Sequence, residues 1–255
     1  MTSTRYAGLA GRTVIITGGA SGIGEGLVRA FAAQDSKVAF LDILHDEGMA
    51  LANDIAASGD DKPLFVPCDL QDIPALRMAL TKIQDRLGHA GVLINNAACD
   101  QRQDFARVTP DEFDWMMRVN LRHVFFACQA IIPQMRTLGG GSIINFSSGA
   151  WVRGLPDMQA YSAGKAAIVG LTNSLAREVG RHRIRVNALA PGMVVTERQR
   201  RLWFPDPAKI EEGLARQCIP EPCLPEHAAK AALFLASDDA DMITKQFIMV
   251  NGGTL

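Results

Sequence analysis

Short runs of β-branched and aliphatic residues alternate with longer segments of helical period along most of this chain, and few folds accept that rhythm. The runs fall at 13–17, 37–41, 64–66, 91–95, 141–146, 183–189 and 246–250. Helical segments fall between them at 22–34, 45–58, 73–86, 110–136, 160–179 and 226–237. Parallel neighbours in a sheet need a long crossover, usually a helix, and that crossover is right-handed. The alternation therefore predicts an α/β chain with a doubly wound parallel sheet and helices on both faces. No low-complexity linker, charge block or internal repeat divides the 255 residues, so a single domain over 1–255 is expected. After Pro191 the rhythm breaks into a polar, aromatic, proline-bearing stretch over about 193–225, which reads as a lid over a site.

Charge and cysteine content narrow the partners. Formal net charge is −1 and the two signs are interleaved, so no electrostatic footprint for nucleic acid or an anionic membrane is present and a small-molecule partner is expected. Cys68, Cys99, Cys128, Cys218 and Cys223 include no C-x-x-C pair, which argues for a reduced, cytoplasmic chain with no metal site. The first dozen residues lack a signal-peptide profile, and no apolar run approaches the roughly 20 residues of a membrane span. Neither export nor insertion is expected.

The first strand runs into Gly18-Gly19-Ala20-Ser21-Gly22-Ile23-Gly24, and a helix begins at once. Glycines let a backbone turn tightly against a pyrophosphate, whose charge is then met by the unpaired N–H groups of the helix start. That placement makes the loop a dinucleotide cradle and the fold a Rossmann fold. Eighteen positions past Gly24, the second strand ends at Asp42, whose carboxylate would accept from both ribose hydroxyls and repel a 2′-phosphate. Ser21 and Ile43-Leu44 offer no basic residue instead, so the expected cofactor is NAD; the plainer alternative is an aspartate that caps a turn. Asp69, in Cys68-Asp69-Leu70 after the third strand, is placed to accept from an adenine amino group, or equally to cap a solvated turn.

Tyr161 and Lys165 lie at i and i+4 at the head of a helix whose apolar stripe is Ile168, Leu171, Leu175 and Val179. Residues four apart share a helical face, so phenol and ammonium are expected in one pocket. An unperturbed tyrosine ionises near pH ~10, and a neighbouring positive charge should lower that value and make a base for a substrate hydroxyl. Thirteen residues before Tyr161, Ser148 ends the run Ile143-Ile144-Asn145-Phe146-Ser147-Ser148. A strand ending there delivers its hydroxyl to the carboxyl edge of the sheet, where ligands bind in open α/β folds. Ser147 is the near competitor, and the spacing from Tyr161 favours Ser148.

Seven segments in order, T-G-G-A-S-G-I-G from Thr17, C-D-L from Cys68, N-N-A-A from Asn95, V-N-L from Val119, S-S from Ser147, Y-S-A-G-K from Tyr161 and P-G from Pro191, make the chain resemble the short-chain dehydrogenases/reductases over nearly its whole length. The resemblance implies a catalytic set of Asn120, Ser148, Tyr161 and Lys165, with Asn120 holding a water that relays protons towards Lys165. It implies that Asn96 lies beside the cofactor, that Val194 and Thr196, after Pro191-Gly192, meet the nicotinamide carboxamide, and that the chain is a homotetramer. Ala98 departs from the family's N-N-A-G and should crowd a turn without removing chemistry.

Substrate choice must come from segments outside the shared motifs: 99–103, 149–159 and 196–205. They mix carboxylate, guanidinium and amide groups with Trp151 and Trp203, which suits a polyol with one apolar face better than an acyl chain. Asp100, Arg102, Trp151, Gln159, Gln199 and Trp203 are the candidate contacts, beside Ser148 and Tyr161. N-L-R-H from Asn120 and T-E-R-Q-R-R-L-W-F-P from Thr196 also resemble bacterial sugar 1-dehydrogenases of the family, which implies oxidation of a monosaccharide at C1 to a lactone. Rival readings are a carbonyl or 3-oxoacyl carrier-protein reductase, and a dinucleotide-binding sensor or scaffold without turnover.

Overall fold

The computed structural model describes residues 4–202 and 206–254. Strands β1 (Thr13–Thr17), β2 (Lys37–Asp42), β3 (Leu64–Pro67), β4 (Ala90–Asn95), β5 (Gly141–Phe146), β6 (Ile184–Pro191) and β7 (Phe247–Val250) form one parallel sheet in the order β3-β2-β1-β4-β5-β6-β7. The helices are α1 (Gly22–Ala32), α2 (His45–Ala57), α3 (Ile73–Leu87), α4 (Pro110–Met117), α5 (His123–Thr137), α6 (Ala150–Arg153), α7 (Gln159–Val179), α8 (Glu197–Leu202), α9 (Pro207–Leu214) and α10 (Pro225–Ala236). Winding reverses between β1 and β4, and such a reversal opens a crevice at the carboxyl ends of the strands.

Alternation of side chains along the strands feeds two apolar layers. Ile15, Leu41, Leu93 and Ile143 pack with Leu76 and Leu80 of α3, Ile131 of α5 and Ile168 of α7. Val14, Ile16, Phe40, Ile94 and Ile144 point the other way, onto Leu27 and Phe31 of α1, Leu51 of α2 and Leu233 of α10. All five residues of β1 are buried, as a central strand covered on both faces must be. Each such aliphatic side chain contributes about 1.5–3 kcal/mol when fully buried, and this fixes the sheet edge on which the site stands.

Helix ends follow local signals. Asp72 caps α3 by accepting from the Ala75 N–H, with Pro74 in the first turn. Thr109 and Glu112 form a capping box at α4, which holds the Glu112 carboxyl below its ordinary range. The helix expected over 110–136 is interrupted: one π-helical turn, Arg118–Arg122, separates α4 from α5 and carries Asn120. Such turns disturb the regular ladder and cluster at functional sites. Three short helices, α6, α8 and α9, were not apparent in the sequence pattern, because segments of four to eight residues barely complete a hydrophobic period. Among the described residues no helix is long and apolar enough to cross a membrane.

Candidate active site

A long cleft runs along the carboxyl edge of the sheet, and one end of it is cut from backbone. Gly18 leaves β1 with φ +67°, and a Cβ there would lie 2.6 Å from the Ala97 Cα. A Cβ on Gly24 would lie 1.7 Å from the Gly18 carbonyl oxygen, so only glycine lets α1 start this close to the strand. Asn96 buttresses the turn, its Nδ2 donating to the carbonyls of Gly18 (2.8 Å) and Thr17 (3.2 Å). Asp42 accepts from the N–H of Ala20 at 2.9 Å and of Leu44 at 3.1 Å, one bond to each oxygen. A carboxylate offers about four acceptor positions, so two remain for a ligand. Asp69 is a capped turn, accepting from the Gln71 N–H at 2.9 Å. Ser21, Gly22, Ile23, Leu70, Pro191, Gly192, Val194 and Thr196 line the same cleft with Asp42 and Asp69. The close backbone, the helix start and the carboxylate at the end of β2 fit a dinucleotide.

Midway along the cleft stand Ser148, Tyr161 and Lys165. Ser148 follows β5, and its Oγ accepts from the Ala150 N–H at 3.1 Å, which starts α6. Tyr161 and Lys165 share the buried face of α7, with Lys165 Nζ 5.9 Å from the phenol ring centroid. Nζ donates to the Phe146 carbonyl at 2.7 Å. Burial pushes Lys165 down to about 7, although Asp100 pulls the other way. Burial likewise pushes Tyr161 up to about 12, opposed by its hydrogen bond with Ser148 and assisted by the Asp100 charge. The expected lowering of the phenol by the Lys165 ammonium is not what the fold shows: burial raises it, and the opposing influences are Ser148 and Arg198. His123, buried one turn after Asn120, is driven down to about 4 by burial first and the Lys165 charge second.

Asn120 lies in the π-helical turn, wholly buried, and three of the four hydrogen-bond positions of its amide are taken by backbone. Oδ1 accepts from the Cys99 N–H at 3.0 Å, and Nδ2 donates to the carbonyls of Cys99 (3.0 Å) and Met116 (3.1 Å). Its side chain therefore positions the loop that carries Asp100 and does not itself line the cleft.

At the far end side chains form the walls. Asp100 takes one bond on each oxygen, from Arg198 at 2.6 Å and from Gln199 at 2.5 Å, and so ties the loop after β4 to α8. Arg102 lines the cleft nearby. Two expected substrate contacts stand away from the cleft wall in this fold. Trp151 turns its ring onto Phe247, and Gln159 is exposed at the start of α7; neither lines the cleft. Successive side chains on a helix turn by about 100°, so which way Trp151 faces depends on α6, and the sequence did not show that this loop was helical. Trp203 lies outside the described residues. Arg198 and Trp115 line the cleft without having been singled out; for Arg198 the only sequence signal was its place beside Gln199, and for Trp115 there was none.

A nucleotide cradle and a Ser–Tyr–Lys cluster on a doubly wound sheet define a dinucleotide-dependent oxidoreductase, and the comparisons with known proteins specify which kind. A family model described as enoyl-(acyl carrier protein) reductase matches residues 18–254. The chain is 46% identical over 255 residues, 98% of each protein, to a probable galactose dehydrogenase of Rhizobium meliloti. It is 42% identical over 254 residues, 99% of each, to a D-xylose 1-dehydrogenase of Caulobacter vibrioides. It is 34% identical over 248 residues to a 3-oxoacyl-[acyl-carrier-protein] reductase of Chlamydia trachomatis, covering 96% of this chain and 98% of that one. The chain belongs to the short-chain dehydrogenase/reductase family, whose members use a nicotinamide dinucleotide, and is an oxidoreductase of CH–OH groups.

Proposed function

We propose that this protein is an NAD-dependent aldose 1-dehydrogenase, oxidising the C1 hydroxyl of a cyclic pentose, hexose or deoxyhexose to the lactone. The observation that carries the substrate class is the wall of the cleft beside Tyr161: a carboxylate, a guanidinium and an amide, held together by Asp100, suit a ring of hydroxyls and not an acyl chain. Relatives at 46% and 42% identity, named for galactose and xylose, support it. When bound, the dinucleotide supplies the hydride acceptor. Tyr161 Oη acts as the phenolate, so the buried phenol first gives up its own proton to the cleft and then takes the proton of the C1 hydroxyl, while Ser148 donates to the substrate oxygen. Lys165, held near neutrality, is able to give and take protons beside the phenol without leaving its bond to Phe146. Asn120 contributes by fixing Cys99 and Asp100.

Asp42 supports NAD over NADP, since a second anion beside its carboxylate would be repelled. Residues 193–225 serve as the lid of a single domain; the cysteine usage supports a cytoplasmic chain, and the family resemblance supports a homotetramer. The test is a panel of free pentoses, hexoses and deoxyhexoses supplied with NAD and, separately, NADP. Reduction of NAD by at least one aldose is expected. Equal efficiency with NADP would remove the role given to Asp42. No aldose turnover, with a 3-oxoacyl thioester reduced by NADH or NADPH instead, would establish the carrier-protein reductase reading; tight dinucleotide binding with no turnover of either would favour a sensor.

A further inference from the structure

Trp151 sits three residues after Ser148, in the loop that a substrate would be expected to touch, yet its ring faces away from the cleft. The ring packs on Phe247 of β7, centroids 5.5 Å apart and planes tilted by 40°. Its one polar atom, Nε1, donates to Ser147 Oγ at 3.2 Å. Ser147 Oγ donates in turn to the main-chain carbonyl of Lys165 at 2.7 Å, and the Ser147 N–H donates to the Leu189 carbonyl at 2.8 Å.

An indole N–H can only donate, so it occupies a lone pair of Ser147 and leaves the hydroxyl hydrogen to point at Lys165. The rotor of a buried serine is thereby fixed. Lys165 is also held from its other end, since Nζ donates to the carbonyl of Phe146, the residue before Ser147. Two bonds thus join the exit of β5 to one turn of α7, and the residue that follows Ser147 is Ser148. The geometry assigns Trp151 as a positioning residue that acts through Ser147 to hold Ser148 and Lys165 in register. It does not contact substrate. The assignment rests on the catalytic reading given above for Ser148, Tyr161 and Lys165.

The test compares Trp151→Phe, which keeps an aromatic ring against Phe247 and loses the N–H, with Ser147→Ala and the double variant, in the full-length protein. Each single variant should lose about three- to tenfold in kcat, the range of one net hydrogen bond. KM for aldose and for dinucleotide should stay within about twofold, because no binding contact is removed. The double variant should be no slower than Ser147→Ala, since both changes cut one chain of bonds. Losses that multiply, a raised aldose KM with kcat intact, or a Trp151→Phe enzyme equal to wild type would each overturn the assignment. Amide hydrogen exchange across 147–150 gives a readout that needs no substrate. If wild type oxidises no aldose, faster exchange there in Trp151→Phe upholds the brace while the sugar reading falls, and unchanged exchange removes the brace as well.

Discussion

At the nucleotide end the cleft is made of backbone, whereas at the substrate end it is made of side chains. Gly18, Gly24 and the N–H groups bonded to Asp42 leave no room for a different main-chain path. Asp100, Arg198 and Gln199 meet through the tips of long side chains carried on two segments 98 and 99 residues apart. Backbone surfaces are rigid and tolerate few residue types; side-chain surfaces can be re-cut one residue at a time. A family can therefore keep one cofactor end while its substrate end varies. The relatives named for galactose, xylose and acyl carrier protein illustrate that range.

Substitutions can break or sharpen this contrast. The largest effect is expected between the two ends, at the reacting atoms: Tyr161→Phe should lower kcat by about 10²–10⁴-fold, the worth of a positioned acid or base, while dinucleotide titration stays as in wild type. Retained turnover would show that the two ends meet around some other group. Next comes Gly24→Ala, which drives a methyl into the Gly18 carbonyl. It should destabilise the fold by about 3 kcal/mol or more in urea unfolding, or abolish dinucleotide binding in a folded protein. A variant normal in both would show that the backbone end is more pliable than its geometry.

Asp100→Asn should act on the other end alone. Asp100 is partly exposed and its partner Arg198 half-exposed, so the aldose KM is expected to rise by no more than about fivefold, with dinucleotide KM unchanged. A comparable rise in both constants would mean the ends are coupled through α8. The subtlest effect is on stability and pH. An unfolded lysine keeps its proton to about 10.5, but folded Lys165 keeps it only to about 7, so folding expels a proton between those values and native stability rises with pH across that window. Lys165→Met removes the penalty of burying the ammonium. Its melting temperature relative to wild type should therefore be highest at or below pH 7 and decline towards pH 10.5; a difference that does not vary with pH would place the ammonium in water.

Most of the architecture was legible in the chain itself. Strands at 13–17 and 141–146 match their sequence runs to the residue, because a buried parallel strand is a short apolar run with abrupt ends. The glycine turn was legible for the same local reason. The break at Arg118–Arg122 was not, since both halves are good helix and only the seating of Asn120 between Cys99 and Met116 rewards an extra residue in the turn. Trp151 was legible as an unusual residue in the site loop but not as one facing Phe247. Its direction depends on α6, a single turn of helix between β5 and α7.

What the sequence determined by itself is the order of elements, the cradle, and the pairing of Tyr161 with Lys165 on one helical face. All are consequences of periodicity or sterics within a few residues. Tertiary structure alone decided that Asp100 meets Arg198, that Asn120 spends its amide on the backbone, and that desolvation sets the protonation of Tyr161 and Lys165. Those outcomes depend on which distant surfaces exclude water from one another, and no local pattern in the chain carries that information.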